Sequence, residues 1–125
     1  MCTSFKVALL NGEMDFSSDT SQSFKIALYT SSATLNAETT AYSTTNETSG
    51  TGYTAGGNTL TIATNPTNDT SSTVAYLDFS DTTWTSSSIT ARGALIYKTG
   101  GTTPAVAVLD FGSDKTSSDS TFTVT

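Results

Sequence analysis

Apolar residues in this chain come in short runs divided by stretches rich in Ser, Thr, Gly and Asn. The longest apolar-rich run is Ile89-Thr90-Ala91-Arg92-Gly93-Ala94-Leu95-Ile96-Tyr97-Lys98, which also carries the only Arg. Two near-copies of one pattern flank it: Val74-Ala75-Tyr76-Leu77-Asp78-Phe79 before, and Val106-Ala107-Val108-Leu109-Asp110-Phe111 after. Side chains of a strand alternate between two faces, so a period of two reads as strand. The three runs are therefore expected to form the central strands of an antiparallel β-sandwich. In the longest one, Ile89, Ala91, Gly93, Leu95 and Tyr97 fall on one face and Arg92, Ala94, Ile96 and Lys98 on the other. Both faces are partly apolar, as in a strand covered on two sides.

The remaining segments fit around these. Thr3 to Gly12 places Phe5 and Leu9 four apart, with Thr3 or Ser4 available as a cap and Gly12 as a stop, which predicts a short helix. Phe24-Lys25-Ile26-Ala27-Leu28-Tyr29 repeats Phe5-Lys6-Val7-Ala8-Leu9 almost residue for residue. Its Ser- and Thr-rich flanks and its alternation predict a strand with one face buried; a tandem repeat of two strands is the competing reading. Ala33 to Gly57 is irregular, with one or two helical turns expected from Asn36 to Tyr42 and a turn-rich run after Glu47. Thr59 to Thr64 alternates as a strand that Asn65-Pro66-Thr67-Asn68-Asp69 should break. Trp84 is expected to plug one end of the core. Thr99 to Pro104 reads as a hairpin loop, Ser113 to Ser120 as a polar turn, and Thr121 to Thr125 as a final strand pairing with a sheet edge of this subunit or of a neighbour.

The fold class expected is all-β: an antiparallel β-sandwich, jelly-roll-like or immunoglobulin-like, of about seven strands, with a short N-terminal helix. Its 125 residues suit one domain, with residues 1–20 as helix and arm and 33–57 as a long contact loop, since loops of that length are usually functional. Ser and Thr exceed a third of the residues, which favours strands and turns over helix. Aromatic residues spread along the chain set it apart from disordered sequences.

Charge narrows the function. With a net charge of −6, four Lys and one Arg, the chain lacks the clustered cations that a nucleic-acid backbone or an anionic membrane surface requires. It has no His and a single Cys. That excludes an internal disulfide, a His-based metal site and a His-assisted nucleophile. No run is long enough to be a transmembrane helix, and no basic-then-apolar leader is seen.

The run from Tyr42 to Gly57 (with TNETSGTGYTAGG inside it), Trp84, the Ile89 to Lys98 strand and Leu109-Asp110-Phe111-Gly112 resemble a family of small tailed-bacteriophage virion proteins. Phe5-Lys6, Ala8 to Glu13 and Ile26 to Tyr29 fit the same likeness, which covers nearly the whole chain in order. Members look like capsid decoration (cement) proteins seated outside the major capsid shell. The resemblance implies a structural role on the outer capsid surface, the major capsid protein as partner, and a homo-oligomer, a trimer before a dimer. Its motifs carry no catalytic meaning. A tail, head–tail connector or fibre-like component, with glycan binding through the tyrosines, is the alternative.

No catalytic residue, cofactor or metal ligand is assigned. Gly50-Thr51-Gly52 and Gly56-Gly57 precede a strand rather than a helix and lack a nearby Lys, so they read as turns rather than a phosphate cradle. Asp78 and Asp110 could be an acid–base pair or part of a Ca²⁺ site, and a strand-end Asp bonding a turn amide is the commoner case. Arg92 could bind a carboxylate across an interface, or bond internally to Asp78 or Asp110. The residues expected at an interface are Phe5, Leu9, Tyr42, Glu47, Tyr53 and Arg92.

Overall fold

A computed structural model describes all 125 residues. The chain is an all-β sandwich with a short N-terminal helix. Helix α1 (Thr3–Leu10) is followed by strands β1 (Phe24–Tyr29), β2 (Asn58–Thr59), β3 (Ile62–Asn68) and β4 (Ala75–Phe79). The strands β5 (Thr82–Ser87), β6 (Thr90–Lys98), β7 (Ala105–Thr116) and β8 (Ser120–Val124) complete it. All pairings are antiparallel. The main sheet has the order β2-β1-β6-β7, and β3-β4 and β5-β8 form separate two-stranded sheets.

The main sheet is covered on both faces. On one, Ala27, Tyr29, Leu95 and Tyr97 join Cys2, Phe5, Met14 and Phe16. On the other, Ile26, Leu28, Ala91 and Ala94 meet Trp84 of β5 and Phe122 of β8. β1 is therefore buried on both faces, where alternation predicts one. Ala27 and Tyr29, on its second face, belong to the cluster that includes Phe5 of α1 and Met14 and Phe16 of the segment after it. Phe16 carries much of that cover: it stacks on Phe24 at 4.4 Å and meets Phe5 and Phe79 edge-on.

The two near-identical pentapeptides fold differently, one inside α1 and one inside β1. β1 lies between two partners and gains ladders on both edges, whereas α1 has no strand beside it. Asn11 caps the helix and Gly12 leaves it at φ +72°.

Other expectations change. Of the three runs expected to be central strands, only β6 is interior; β7 is an edge strand, and β4 pairs with β3 alone and is largely exposed. The Thr59 to Thr64 run is split, and β3 continues through Pro66 instead of stopping there. Proline is tolerated because β3 is an edge strand with register shifts on both sides of Thr64. Asn36 closes a turn, accepting Glu38 N–H at its side chain, but no helix follows. In place of a polar turn after Ser113, the strand runs on to Thr116, its polarity reflecting exposure. β5, with its Thr- and Ser-rich sequence, has no apolar alternation to reveal it. β8 pairs with β5 of the same chain.

The face assignment along β6 also shifts. Ala91 and Ala94 lie in one cluster, and Leu95 and Tyr97 in the other. The cause is an irregularity opposite Arg92: Ala91 pairs with Lys115, but Gly93 pairs with Asp110. β7 thus carries extra residues there, and Gly112 supplies the turn at φ +76°.

The 33–57 stretch is tied down by isolated bridges from Ala41 to Pro104, Glu47 to Tyr29 and Thr51 to Ser88. Its last glycine fixes how closely it approaches β1. Gly57 has φ +68°, and a Cβ there would stand 1.8 Å from the Ile26 carbonyl oxygen. Gly57→Ala should cost roughly 2–4 kcal/mol through overlap and left-handed strain together. Gly100 also has a left-handed backbone, at φ +80°, but a Cβ there would meet no atom within 4 Å. Gly100→Ala should therefore cost only about 1 kcal/mol. Urea unfolding of both variants checks the difference, and equal losses would mean that close approach contributes nothing at Gly57.

Candidate functional site

Three of the six residues expected at an interface converge on one carboxylate. Glu47 enters beside the end of β1 through its bridge to Tyr29. Its Oε1 accepts the Tyr53 hydroxyl and the Gly56 amide, each at 2.7 Å, and its Oε2 accepts the Tyr42 hydroxyl at 2.7 Å. Tyr53 Oη in turn accepts the Leu28 amide at 2.9 Å, which closes a circuit between loop and sheet. Tyr97 donates to the Gly56 carbonyl and stacks on Tyr42 at 4.6 Å. Tyr29 donates to the Ser43 carbonyl.

The knot explains why an irregular stretch this long keeps one conformation. A carboxylate can accept several donors, and bonds to an ionised acceptor are stronger than neutral ones. Burial pushes the Tyr29 phenol up to about 12. Burial, followed by the charge and hydrogen bonds of Glu47, raises Tyr42 and Tyr53 further, and burial with the Glu47 charge raises Tyr97. All four hydroxyls therefore remain protonated donors at neutral pH, suited to holding a loop rather than to abstracting protons.

Arg92 lies elsewhere, at the β6–β7 irregularity. Its Nε donates to Asp110 Oδ1 at 3.1 Å, and the same oxygen accepts the Gly112 amide at 2.8 Å. Asp110 thus both bonds a turn amide and pairs with the arginine. Those contacts hold its carboxyl below the usual range, the Gly112 amide first. Asp78 is on β4, in another sheet, so the two aspartates do not form a pair. No cluster of three or more potential metal-ligating side chains is present.

A cleft of about 260 Å³ opens beside Arg92, walled by Ala33, Leu35 and Val108. Ala33 and Leu35 belong to the 33–57 stretch expected to make contacts, whereas Val108, on β7, is not singled out by sequence reasoning because it shares no motif with them.

The two remaining interface candidates divide on α1. Phe5 is turned into the core at 5% exposure, while Leu9 is half-exposed. Beside Leu9 the helix also presents Val7 and Leu10, the latter 89% exposed. The helix is pinned by its first residues: the Cys2 amide donates to the Val106 carbonyl and the Thr3 amide to the Ala37 carbonyl.

Comparison with protein-family models, curated proteins and solved structures finds no match.

Glu47→Gln replaces one acceptor oxygen with a donor, so either Tyr42 or the Tyr53–Gly56 pair loses its partner. The expected loss is about 1–3 kcal/mol, measured by denaturant unfolding; an unchanged midpoint would deny the knot a stabilising role. High pH should also unfold the chain. The folded-state phenols ionise later than unfolded ones, so their contribution is complete below about pH 10 and is lost as pH rises toward the Tyr29 value of about 12. Phenolate absorbance and circular dichroism should therefore change together in that window.

Proposed function

We propose that the chain is a structural protein of a tailed-bacteriophage particle, a decoration or cement protein that binds the outside of the major capsid shell. It is read as a protein-binding module rather than an enzyme. The observation that carries this reading is the pinned helix α1, which presents three large exposed apolar side chains, Val7, Leu9 and Leu10, on one short element; Met1, Val74 and Tyr76 are the others exposed on the chain. Contiguous exposed apolar groups on a soluble domain mark contact surfaces. The sequence resemblance supplies the kind of partner.

Mechanistically, such a module would bridge adjacent capsid subunits from outside. Burying α1 and neighbouring loops at their junctions adds contacts that internal DNA pressure must break before the subunits part. Symmetric junctions favour a trimer at threefold positions, or a dimer at twofold ones. The absence of a cationic cluster fits a position away from the packaged genome.

Cryo-electron microscopy of the parent particle tests location. Density repeated over the shell is expected; density confined to the tail or portal vertex would sink the cement role and favour the connector or fibre alternative. Val7→Glu combined with Leu10→Glu should weaken binding to shells lacking the protein by at least about tenfold, since a buried interface charge without a partner is costly. Both positions are exposed, so the melting temperature should not change.

A further inference from the structure

Arg92 is only half used. Its Nε meets Asp110, but its two terminal nitrogens form no hydrogen bond in the chain. The side chain is 42% exposed, and its partner carboxylate 70%. An ion pair so exposed, made through one nitrogen, holds its partners weakly. The terminal fork of a guanidinium matches a carboxylate with two parallel bonds, a stronger arrangement.

The surroundings fit more than a free ion. Tyr29, Gly93 and Asp110 are paired across β1, β6 and β7, and the cleft lies over them with Thr30, Ser31, Ala33 and Leu35 as one wall. Val108 and Leu109 form the other side. β7 pairs only with β6 in the sheet; on its outer side Ala105 and Val106 are bonded by Thr40 and Cys2, but no backbone bond from outside the sheet reaches Val108 to Asp110 beside the cleft. An open edge offers backbone groups to an extended segment, and alternate side chains of that segment can enter neighbouring pockets.

The same edge leads to α1. Val106 accepts the Cys2 amide, and Ala37, just beyond the wall formed by Ala33 and Leu35, accepts the Thr3 amide. The start of helix α1 and the arginine cleft thus flank one stretch of β7.

The geometry points to the Arg92 cleft as the docking site for an extended segment of a protein partner that carries an aspartate or glutamate beside an apolar side chain. The carboxylate takes the terminal nitrogens of Arg92, and the apolar neighbour packs on Ala33, Leu35 and Val108. This rests on the reading of the chain as a protein-binding module and names the chemistry of its partner. A polyanion such as nucleic acid is disfavoured by the net charge of −6.

Two experiments separate this inference from the capsid reading. In the first, labelled protein is titrated with acetyl-Val-Glu-Val-amide and with its glutamine counterpart, read by nuclear magnetic resonance. The acidic peptide should shift the Arg92 Nε–H and the Ser31, Gly93 and Leu109 amides saturably, the neutral one at least about tenfold more weakly, and added salt should weaken the effect. Arg92→Gln should abolish it, and so should Ser31→Glu, which puts a competing carboxylate at the exposed rim without touching the core. Equal shifts from both peptides, no saturable shift, or shifts elsewhere would overturn the inference, as would a neutral oligosaccharide occupying the cleft when the acidic peptide does not. In the second, wild-type protein and the same two variants are bound to shells lacking the protein. Wild-type binding with at least about tenfold loss in both variants supports the cleft as the capsid contact. Failure of wild type to bind shells would end the capsid reading, while the peptide titration still decides the cleft.

Discussion

β1 and β6 bury side chains on both faces, and a chain with only 35% apolar residues must find two separate covers for them. Two-sided burial is usual where helices cover both faces of a parallel sheet; here the sheet is antiparallel and the covers are improvised. One is α1 with Met14 and Phe16. The other is the β5–β8 pair, of which Trp84 and Phe122 do most of the filling. The aromatic residues, few in number but large, offset the shortage of aliphatic ones.

Four tyrosines join these covers to the 33–57 stretch: Tyr29 and Tyr97 lie in the first cluster with Tyr42 packed on them, and Tyr53 stacks on Trp84 of the second. These are amphipathic rings, whose hydroxyls need partners once buried. Glu47 and the Gly56 peptide provide them. The arrangement turns a potential cost into order: an irregular stretch becomes part of the frame because these side-chain bonds add to its backbone bridges to the strands. The closeness of Gly57 to Ile26 belongs to the same fit, since the loop could not bring Gly56 to Glu47 if the following residue stood further from β1.

Much of the framework is legible in the sequence. Alternation marks β1, β6 and β8, and the cap-and-stop signals mark α1. Local pattern misleads where it is not the deciding influence. β4 and β7 share a motif, yet β7 borders the central strand and β4 is displaced into a peripheral hairpin; a motif records which faces are apolar, not which edge finds a partner. Pro66 reads as a break, but an edge strand with a bulge does not need its amide. For the candidate site, Tyr42, Glu47, Tyr53 and Arg92 all stand out in the sequence, but not the division among them. Three serve one internal knot and only Arg92 retains unsatisfied donors, a difference set by contacts between residues far apart in the chain.

That division matters for how a partner could be held. A specific interface usually takes about 800 Å² from each side, roughly a ninth of this chain's surface of 6979 Å². Helix α1 alone, with eight residues partly facing inward, is too small a platform. Helix, the 33–37 segment and the arginine cleft together form a longer one, because Cys2 and Thr3 bind the helix to β7 and to Ala37 by backbone bonds. Since those bonds involve no exposed side chain, the platform's relative positions are set before any partner arrives, and little ordering entropy remains to oppose binding. Apolar burial at the helix would then supply affinity, and the directional demand of the guanidinium would choose among partners.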